Sequence, residues 1–577
     1  MMKTKIDDLI SILELQKRIT LEKASIEFKW NYKSLEKVLR ALDKVGVVKL
    51  NYPLNLFQKP SVEILRHPVF KEEVEVTGKL VEQYIVKGLS GHISAHVSII
   101  LSETEKRPFY DIYIPEVTPE TRSYFEFIKN EVSRMMPVGS SEKAKEEAEN
   151  EFKTRHGLIA QVLEKDLSPD KNMVDALCGI LLREMYGLGE IDVLMADNWL
   201  EEIVINSSNN PILVYHRKYG WLKTNIKLKN EEEIENYSSQ VARKIGKQIS
   251  LLNPILDAHL ASGDRVNATI FPISTNGNTL TLRLFAKNPW TIVSFLDSKQ
   301  NAMSLDMAAL LWQAIHYEMN ILVGGGTASG KTSALNSIIS LIPPYQRIVT
   351  IEDTRELLLP SYQWNWVPLV TRAPNPEGLG EVSMLDLVVN SLRMRPDRIV
   401  MGEIRRKKEA EVLFEAMHTG HSVYATLHAD TGAQIIKRLI EPPIELPPSE
   451  VEDVHLVLVQ YRDRRKNLRR TLEISEVVSG PSGPELNKLY LWRPRTDDFQ
   501  IVKPPRRYME HLNLHTGMTE KDILADQVEK KMVLKWMLDN KLNQVEDVGK
   551  VMNHYYSDTD VLLKSIEKKM TPDKVFV

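Results

Sequence analysis

The chain has 577 residues, 43% hydrophobic and 27% charged, with a net charge of −3 at pH 7, a length that implies several domains, each with apolar mass for a core. No run of eighteen uncharged apolar residues occurs, so no transmembrane helix is expected, and the start Met-Met-Lys-Thr-Lys-Ile-Asp-Asp does not read as a signal peptide. A single cysteine, Cys178, set in an apolar helical pattern, excludes an internal disulfide and a multi-cysteine zinc site; the expected location is the cytoplasm.

Residues 1–60 read as a winged-helix-like module. Asp7–Leu15 is amphipathic, Thr20 or Leu21 can open a second helix, and Lys33–Val45 keeps leucine and valine on one face until Gly46 stops it. Val47–Tyr52 and Phe57–Ile64 then read as a two-stranded wing. The segment carries 12 Lys/Arg against 7 Asp/Glu. A third helix of this kind can enter a DNA groove, but a surplus of five on solvated faces points to docking or assembly instead.

Residues 61–155 read as an α/β extension with a strand at Phe109–Ile114 and a helix at Thr121–Arg134, ending in a charged run, 141–155, that is polar all round and reads as a solvated helix or linker between domains. Residues 156–295 form a further α/β domain: a helix over Lys171–Met185, then strands at Glu202–Asn206, Ile212–His216, Val266–Phe271 and Thr279–Phe285. Residues 296–505 alternate strands with helices, as a parallel sheet requires, and 506–577 are mainly helical.

The chemistry concentrates in the fourth segment. Ile321-Leu322-Val323 runs into Gly-Gly-Gly-Thr-Ala-Ser-Gly-Lys-Thr, and from Gly325 the spacing is G-x-x-x-x-G-K-[ST], a phosphate-binding loop. Gly325, Gly326, Thr327, Ala328, Ser329 and Gly330 can wrap backbone amides around phosphate oxygens. Lys331 can neutralise β/γ-phosphate charge, the Thr332 hydroxyl can hold Mg²⁺, and Ser333 continues into a helix whose N-terminus faces the phosphates.

Two strand-like runs come next, each delivering carboxylates. Val349–Ile351 leads to Glu352 and Asp353, suited to position and deprotonate an attacking water. Ile399–Met401 leads to Gly402-Glu403, where glycine stands in place of the usual Walker B aspartate and leaves Glu403 for Mg²⁺ or its water shell. A third run carries His421 and His428, seven residues apart. No cysteine or carboxylate cluster completes a metal set around them, so they read as γ-phosphate sensors or sheet-edge packing.

The phosphate loop 325–332, the Ile-Glu-Asp-Thr-Arg-Glu box at 351–356, the segment 395–405 and the histidine box 419–428 together resemble the secretion ATPase superfamily. Its members power type II secretion, type IV pili and the archaellum, with conjugation-type relatives. Tyr186–Gly189, Val214–Gly220 and Ser262–Ala268 resemble its archaeal branch, and the likeness covers roughly residues 105–570. Glycine at 402 is what the family shows. The resemblance implies an α/β fold with a RecA-like P-loop core, preceded by an α/β N-terminal domain and the winged-helix-like module. It implies a homo-hexameric ring with ATP and Mg²⁺ held between the N-terminal and RecA-like domains, Glu352 as catalytic carboxylate and Glu403 as Walker B acid. Arg265 and Arg283 become candidates to close on the phosphates, and Arg355 has a similar claim. The expected role is to drive a pilus-like filament, an archaellum or secretion from the inner face of the cell membrane, through a polytopic membrane platform and, indirectly, a pilin-like or secreted substrate. The alternative is a DNA-translocating or conjugation-type ring; nucleic acid is not the expected partner.

Overall fold

The computed structural model describes residues 2–53, 59–65, 77–87, 94–103, 106–135, 145–167, 169, 171–260, 262–285, 288–372, 374, 378–463, 465–466, 468–481 and 483–576. Residues 57 and 58 of the expected wing and 141–144 of the polar run lie outside them. The chain divides into two units, Met1–Phe285 and Ala286–Val577.

The first unit opens with α1 (Lys5–Gln16), β1 (Arg18–Thr20), α2 (Leu21–Glu27), α3 (Tyr32–Lys44), β2 (Val48–Asn51) and β3 (Ser61–Ile64). The side chains of Thr4, Thr20 and Asn31 accept amides of the following turn and so start the three helices. The wing gains a strand that the sequence did not announce: β1 pairs with β3, giving the antiparallel order β1-β3-β2. Three residues, Arg-Ile-Thr, are too short to show a period of two.

Next come β4 (Gly78–Lys87), β5 (Ser94–Ser102), β6 (Pro108–Tyr113), α4 (Pro119–Met135) and α5 (Lys145–Leu167). They are followed by α6 (Lys171–Tyr186), α7 (Ile191–Met195), β7 (Leu200–Ile205), β8 (Leu213–His216), β9 (Gly220–Thr224), α8 (Glu231–Lys244), β10 (Ile255–His259), β11 (Arg265–Thr269) and β12 (Thr279–Arg283). These strands form one sheet of order β10-β11-β12-β7-β8-β9-β6-β5-β4, antiparallel except at β6–β9. The core runs without a break from Ile6 to Leu282, across the boundaries expected at 60 and 155. The helix α5 continues the polar run and buries Ile159, Leu163 and Leu167 near its end.

One polar cluster fastens the N-terminal module to this core. The Lys37 ammonium on α3 lies 2.7 Å from carboxylate oxygens of both Glu131 and the fully buried Asp166. The Tyr124 hydroxyl donates to the same Asp166 carboxylate at 2.7 Å, and the Trp30 indole donates to the Asp166 carbonyl. A buried carboxylate is tolerated when it is paired and hydrogen-bonded in this way.

The second unit contains α9 (Ile292–Leu296), α10 (Leu305–His316), β13 (Ile321–Gly325), α11 (Lys331–Ile339), β14 (Ile348–Glu352), β15 (Trp366–Val370), α12 (Met384–Ser391), β16 (Arg398–Met401), α13 (Lys407–His418), β17 (Ser422–Leu427), α14 (Gly432–Ile440) and α15 (Pro448–Val451). Strands β18 (Leu456–Asp463), β19 (Leu468–Gly480), β20 (Gly483–Arg493) and β21 (Asp498–Ile501) come after them. The chain then closes with α16 (Arg507–Thr516), α17 (Glu520–Asp539), α18 (Val545–Ser557), α19 (Thr559–Glu567) and α20 (Pro572–Val575). The sheet order is β15-β14-β16-β17-β13-β18-β19-β20-β21. It is parallel from β15 to β18 and antiparallel beyond.

Every residue of β13, β14, β16 and β17 is buried, as expected of parallel strands covered on both faces. The C-terminal helices share this unit's core with α9 and α10. Because these strands run the same way, their C-terminal ends meet at one edge, where ligands of open α/β sheets bind. That edge carries the predicted motifs.

Candidate active site

The phosphate loop connects β13 to α11, and its glycines have a steric cause. Gly325 has φ +154°, and a Cβ there would lie 2.3 Å from Ser329 Oγ and 2.6 Å from the Gln460 carbonyl. Gly330 caps α11 at φ +95° with no capping side chain. The amides of Lys331, Thr332 and Ser333 therefore have no helical partner. Ser329 Oγ, only 2% exposed, has no hydrogen-bond partner among the described residues. A curl of unshared amides with an orphaned buried hydroxyl suits the oxygens of a nucleoside polyphosphate.

Lys331 reaches back to donate to the Gly326 carbonyl at 3.1 Å. Burial lowers the proton affinity of its ammonium, against the pull of Glu403, Asp430 and Glu356. Thr332 stands in the first turn of α11 and Glu403 just beyond β16. A hydroxyl and one nearby carboxylate fit Mg²⁺, which keeps several waters and takes its remaining ligands from phosphate. When bound, the ion would neutralise phosphate charge.

Glu352 ends β14 and is 2% exposed. Its Oε1 accepts amides from Glu356 at 2.8 Å and Leu357 at 3.0 Å, while Oε2 has no partner among the described residues. Burial pushes its carboxyl up to about 7, although the two amides favour the ionised form. The role of Gly402 is spatial: a Cβ there would touch Glu352 Cγ at 3.5 Å, so an aspartate would set a second carboxyl against a buried one. Glu403 is balanced by Arg405, whose Nη2 lies 2.9 Å from Glu403 Oε2 and which also bridges to Asp353.

The raised affinity of Glu352 predicts a pH-dependent stability. The folded chain keeps this proton up to about pH 7, whereas the unfolded chain releases it near 4.5, so stability is lost as pH rises through that window. Glu352→Gln is expected to be more stable than the parent above pH 7, by up to on the order of 3 kcal/mol, with the gain vanishing below pH 4.5. Urea unfolding at pH 8 and pH 5 measures it; an equal difference at both values contradicts it.

His428 stands at the loop, its Nε2 3.0 Å from Thr327 Oγ1. His421 does not. It precedes β17 and contacts Thr419 Oγ1 and the Ala416 carbonyl, at 3.1 and 3.2 Å from Nδ1. A strand advances ~3.3 Å per residue, so the strand between the two histidines sends them to opposite edges of the sheet. The phosphate-binding expectation for His421 is corrected on that ground. Arg265 and Arg283 face each other in register on β11 and β12 of the first unit. Arg265 pairs with Asp257 at 2.8 Å, and Arg283 is level with Glu202. Arg355 lies over the Trp366 ring, 5.2 Å from its centroid.

Sequence reasoning missed Arg469. From β19 its Nε donates to the Ala328 carbonyl at 3.2 Å, on the crest of the loop. The available signal was the cationic run 462–470, which holds six Lys/Arg and one Asp.

A strand, a glycine loop closed by Lys-Thr on a helix, and carboxylates at the ends of two parallel strands of the same sheet, β14 and β16, define a P-loop nucleotide-binding core of the RecA-like kind. Residues 201–452 match the family model of type II/IV secretion system proteins. The uncharacterized protein MJ0900 of Methanocaldococcus jannaschii is 31% identical over 69% of this chain and 75% of its own length. The type IV secretion system protein VirB11 of Bartonella quintana is 30% identical over 51% of this chain and 92% of its own. Among solved structures, the pilus retraction motor PilT with bound ADP aligns with 63% of this chain and 96% of its own, at 19% identity and a TM-score of 0.36. The chain belongs to the type II/IV secretion system protein family.

Proposed function

We propose that this chain is a Mg²⁺-dependent ATPase, working as a hexameric ring that drives assembly of a pilus-like filament, an archaellum or secretion. The observation that carries the reading is Glu352, a buried carboxylate of raised proton affinity at the end of β14, beside the phosphate loop's own sheet edge. A base whose affinity lies near the working pH is suited to take a proton from water. The loop amides and Lys331 would hold the phosphates, with Thr332 and Glu403 placed for Mg²⁺ and its water shell. His428 supports the loop crest through Thr327. We assign Arg265 and Arg283 to closing on the phosphates, and the anchorage to a polytopic platform at the inner face of the cell membrane. Its indirect load would be a pilin-like or secreted substrate.

The reading as a DNA motor loses support at α3. Lys37 is committed to Glu131 and Asp166, and Arg40 pairs with Glu36, so two of its cations have internal carboxylate partners. Among the described residues, no helix is long and apolar enough to cross a membrane.

The purified chain is expected to release phosphate from ATP only when Mg²⁺ is supplied. Arg265→Gln and Arg283→Gln should each still bind ADP but slow turnover by about 10³-fold, as when an arginine that stabilises transition-state charge is removed. Unaltered turnover in both variants would take the arginines out of the mechanism, and no phosphate release at all would sink the ATPase reading.

A further inference from the structure

The end of the sheet beside the phosphate loop carries a cationic hairpin. Strand β18 is in register with β13 up to Gln460 opposite Gly325, then continues to Asp463 where β13 gives way to the loop. The chain turns there, with the Asp463 carboxylate accepting the amides of Arg465 and Lys466 at 2.8 and 3.2 Å. The return strand β19 sets Arg469 opposite Arg462 and brings its side chain to the crest. Arg469 Nε donates to the Ala328 carbonyl at 3.2 Å, and its Cδ lies 3.7 Å from the position a Cβ on Gly330 would take. Arg469 thus lies against the residue that caps α11.

Its neighbour behaves differently. Arg470 is buried and bidentate to Asp497, at 2.6 Å through both Nε and Nη2, so its charge is neutralised within the fold. Arg469 has no carboxylate partner among the described residues, and its two Nη groups have no acceptor among them. A cation beside a helix N-terminus faces the positive end of the helix dipole, which is unfavourable unless an anion shares the place. Here a second cation, Lys331, begins the same helix. Two cations, Lys331 and Arg469, the first-turn amides of α11 and the buried orphan Ser329 Oγ thus all belong to, or touch, one loop-to-helix turn. The chemistry that satisfies all of them is a polyphosphate.

We propose that Arg469 is a nucleotide-binding residue, giving its free guanidinium nitrogens to the polyphosphate from the β18–β19 hairpin while Nε holds the crest at Ala328. The proposal rests on the nucleotide-site reading above and adds to it a second cation, supplied by the antiparallel end of the sheet.

The test is ADP affinity, by titration calorimetry on the full chain, for the parent, Arg469→Gln, Arg469→Lys and, as control, Lys331→Ala. Losing one charge-assisted contact should raise the Kd of Arg469→Gln by about tenfold or more. The affinity of that variant should also fall less steeply with added salt than the parent's, since a charge has left the site. Arg469→Lys should recover most of the affinity, because the charge returns. Parental affinity in Arg469→Gln overturns the proposal. So does a loss that lysine does not restore and that leaves the salt dependence unchanged, because loop support alone would then be the role. If the parent binds and only Lys331→Ala fails, the nucleotide site stands and Arg469 is excluded from it. If the parent itself binds no ADP, the underlying reading falls as well.

Discussion

Lys331→Ala is expected to lower ADP affinity by on the order of 10³-fold and to leave no measurable ATP turnover, since a partly buried cation paired with phosphate is worth several kcal/mol. The expectation comes from where Lys331 sits. It is the first residue of α11, and burial already makes its charged form costly. Its ammonium rests on the Gly326 carbonyl, a neutral acceptor. Phosphate would offer full negative charge in its place. Fluorescent-nucleotide titration reads the affinity directly. Retained binding in Lys331→Ala would move the phosphate site away from the loop.

Glu352→Gln is expected to keep ATP binding and lose turnover by about 10⁴-fold, the upper range for removing a general base. Glutamine preserves the shape and still offers an oxygen to the amides of Glu356 and Leu357, so the fold around β14 should hold. What it cannot do is accept a proton from water. The parent should show the titration of this group in its rate. Turnover should climb with pH and level off above about 7, where the carboxyl is ionised, and the residual activity of the variant should lack that limb. Near-normal turnover in the variant would remove Glu352 from the base role. A parental rate that is flat between pH 5 and 8 would do the same.

The parts of the site that lie on one stretch of chain were legible in advance. Strand, glycine loop and helix succeed one another from Ile321 to Ile339, and the spacing of Gly325, Gly330 and Lys331 carries its own chemistry. Glu352 and Glu403 were legible because one ends and the other follows a buried apolar strand, and parallel strands bring such ends together. What depended on strand direction was half legible. His421 and His428 looked equivalent in the sequence, but one lies before β17 and the other after it. Contacts across long separations were not legible. Arg469 meets Ala328 over 141 positions, and no local periodicity marks such a meeting. Lys37 and Asp166, 129 positions apart, are the same case, which is why the first sixty residues read as a separate module although they share a core with the remainder of the first unit.

That last cluster has a mechanical consequence. A small domain on a tether would swing freely, and a load attached to it would absorb motion as slack. Here the third helix is pinned through Lys37 to α4 and α5, and Trp30 is bonded to the end of α5. Among the described residues, the N-terminal helices are therefore fixed to the core of the first unit and not carried on a tether. Were the proposed ATPase cycle to move the nine-stranded sheet, a partner gripping the solvent side of these helices would be displaced in step with it.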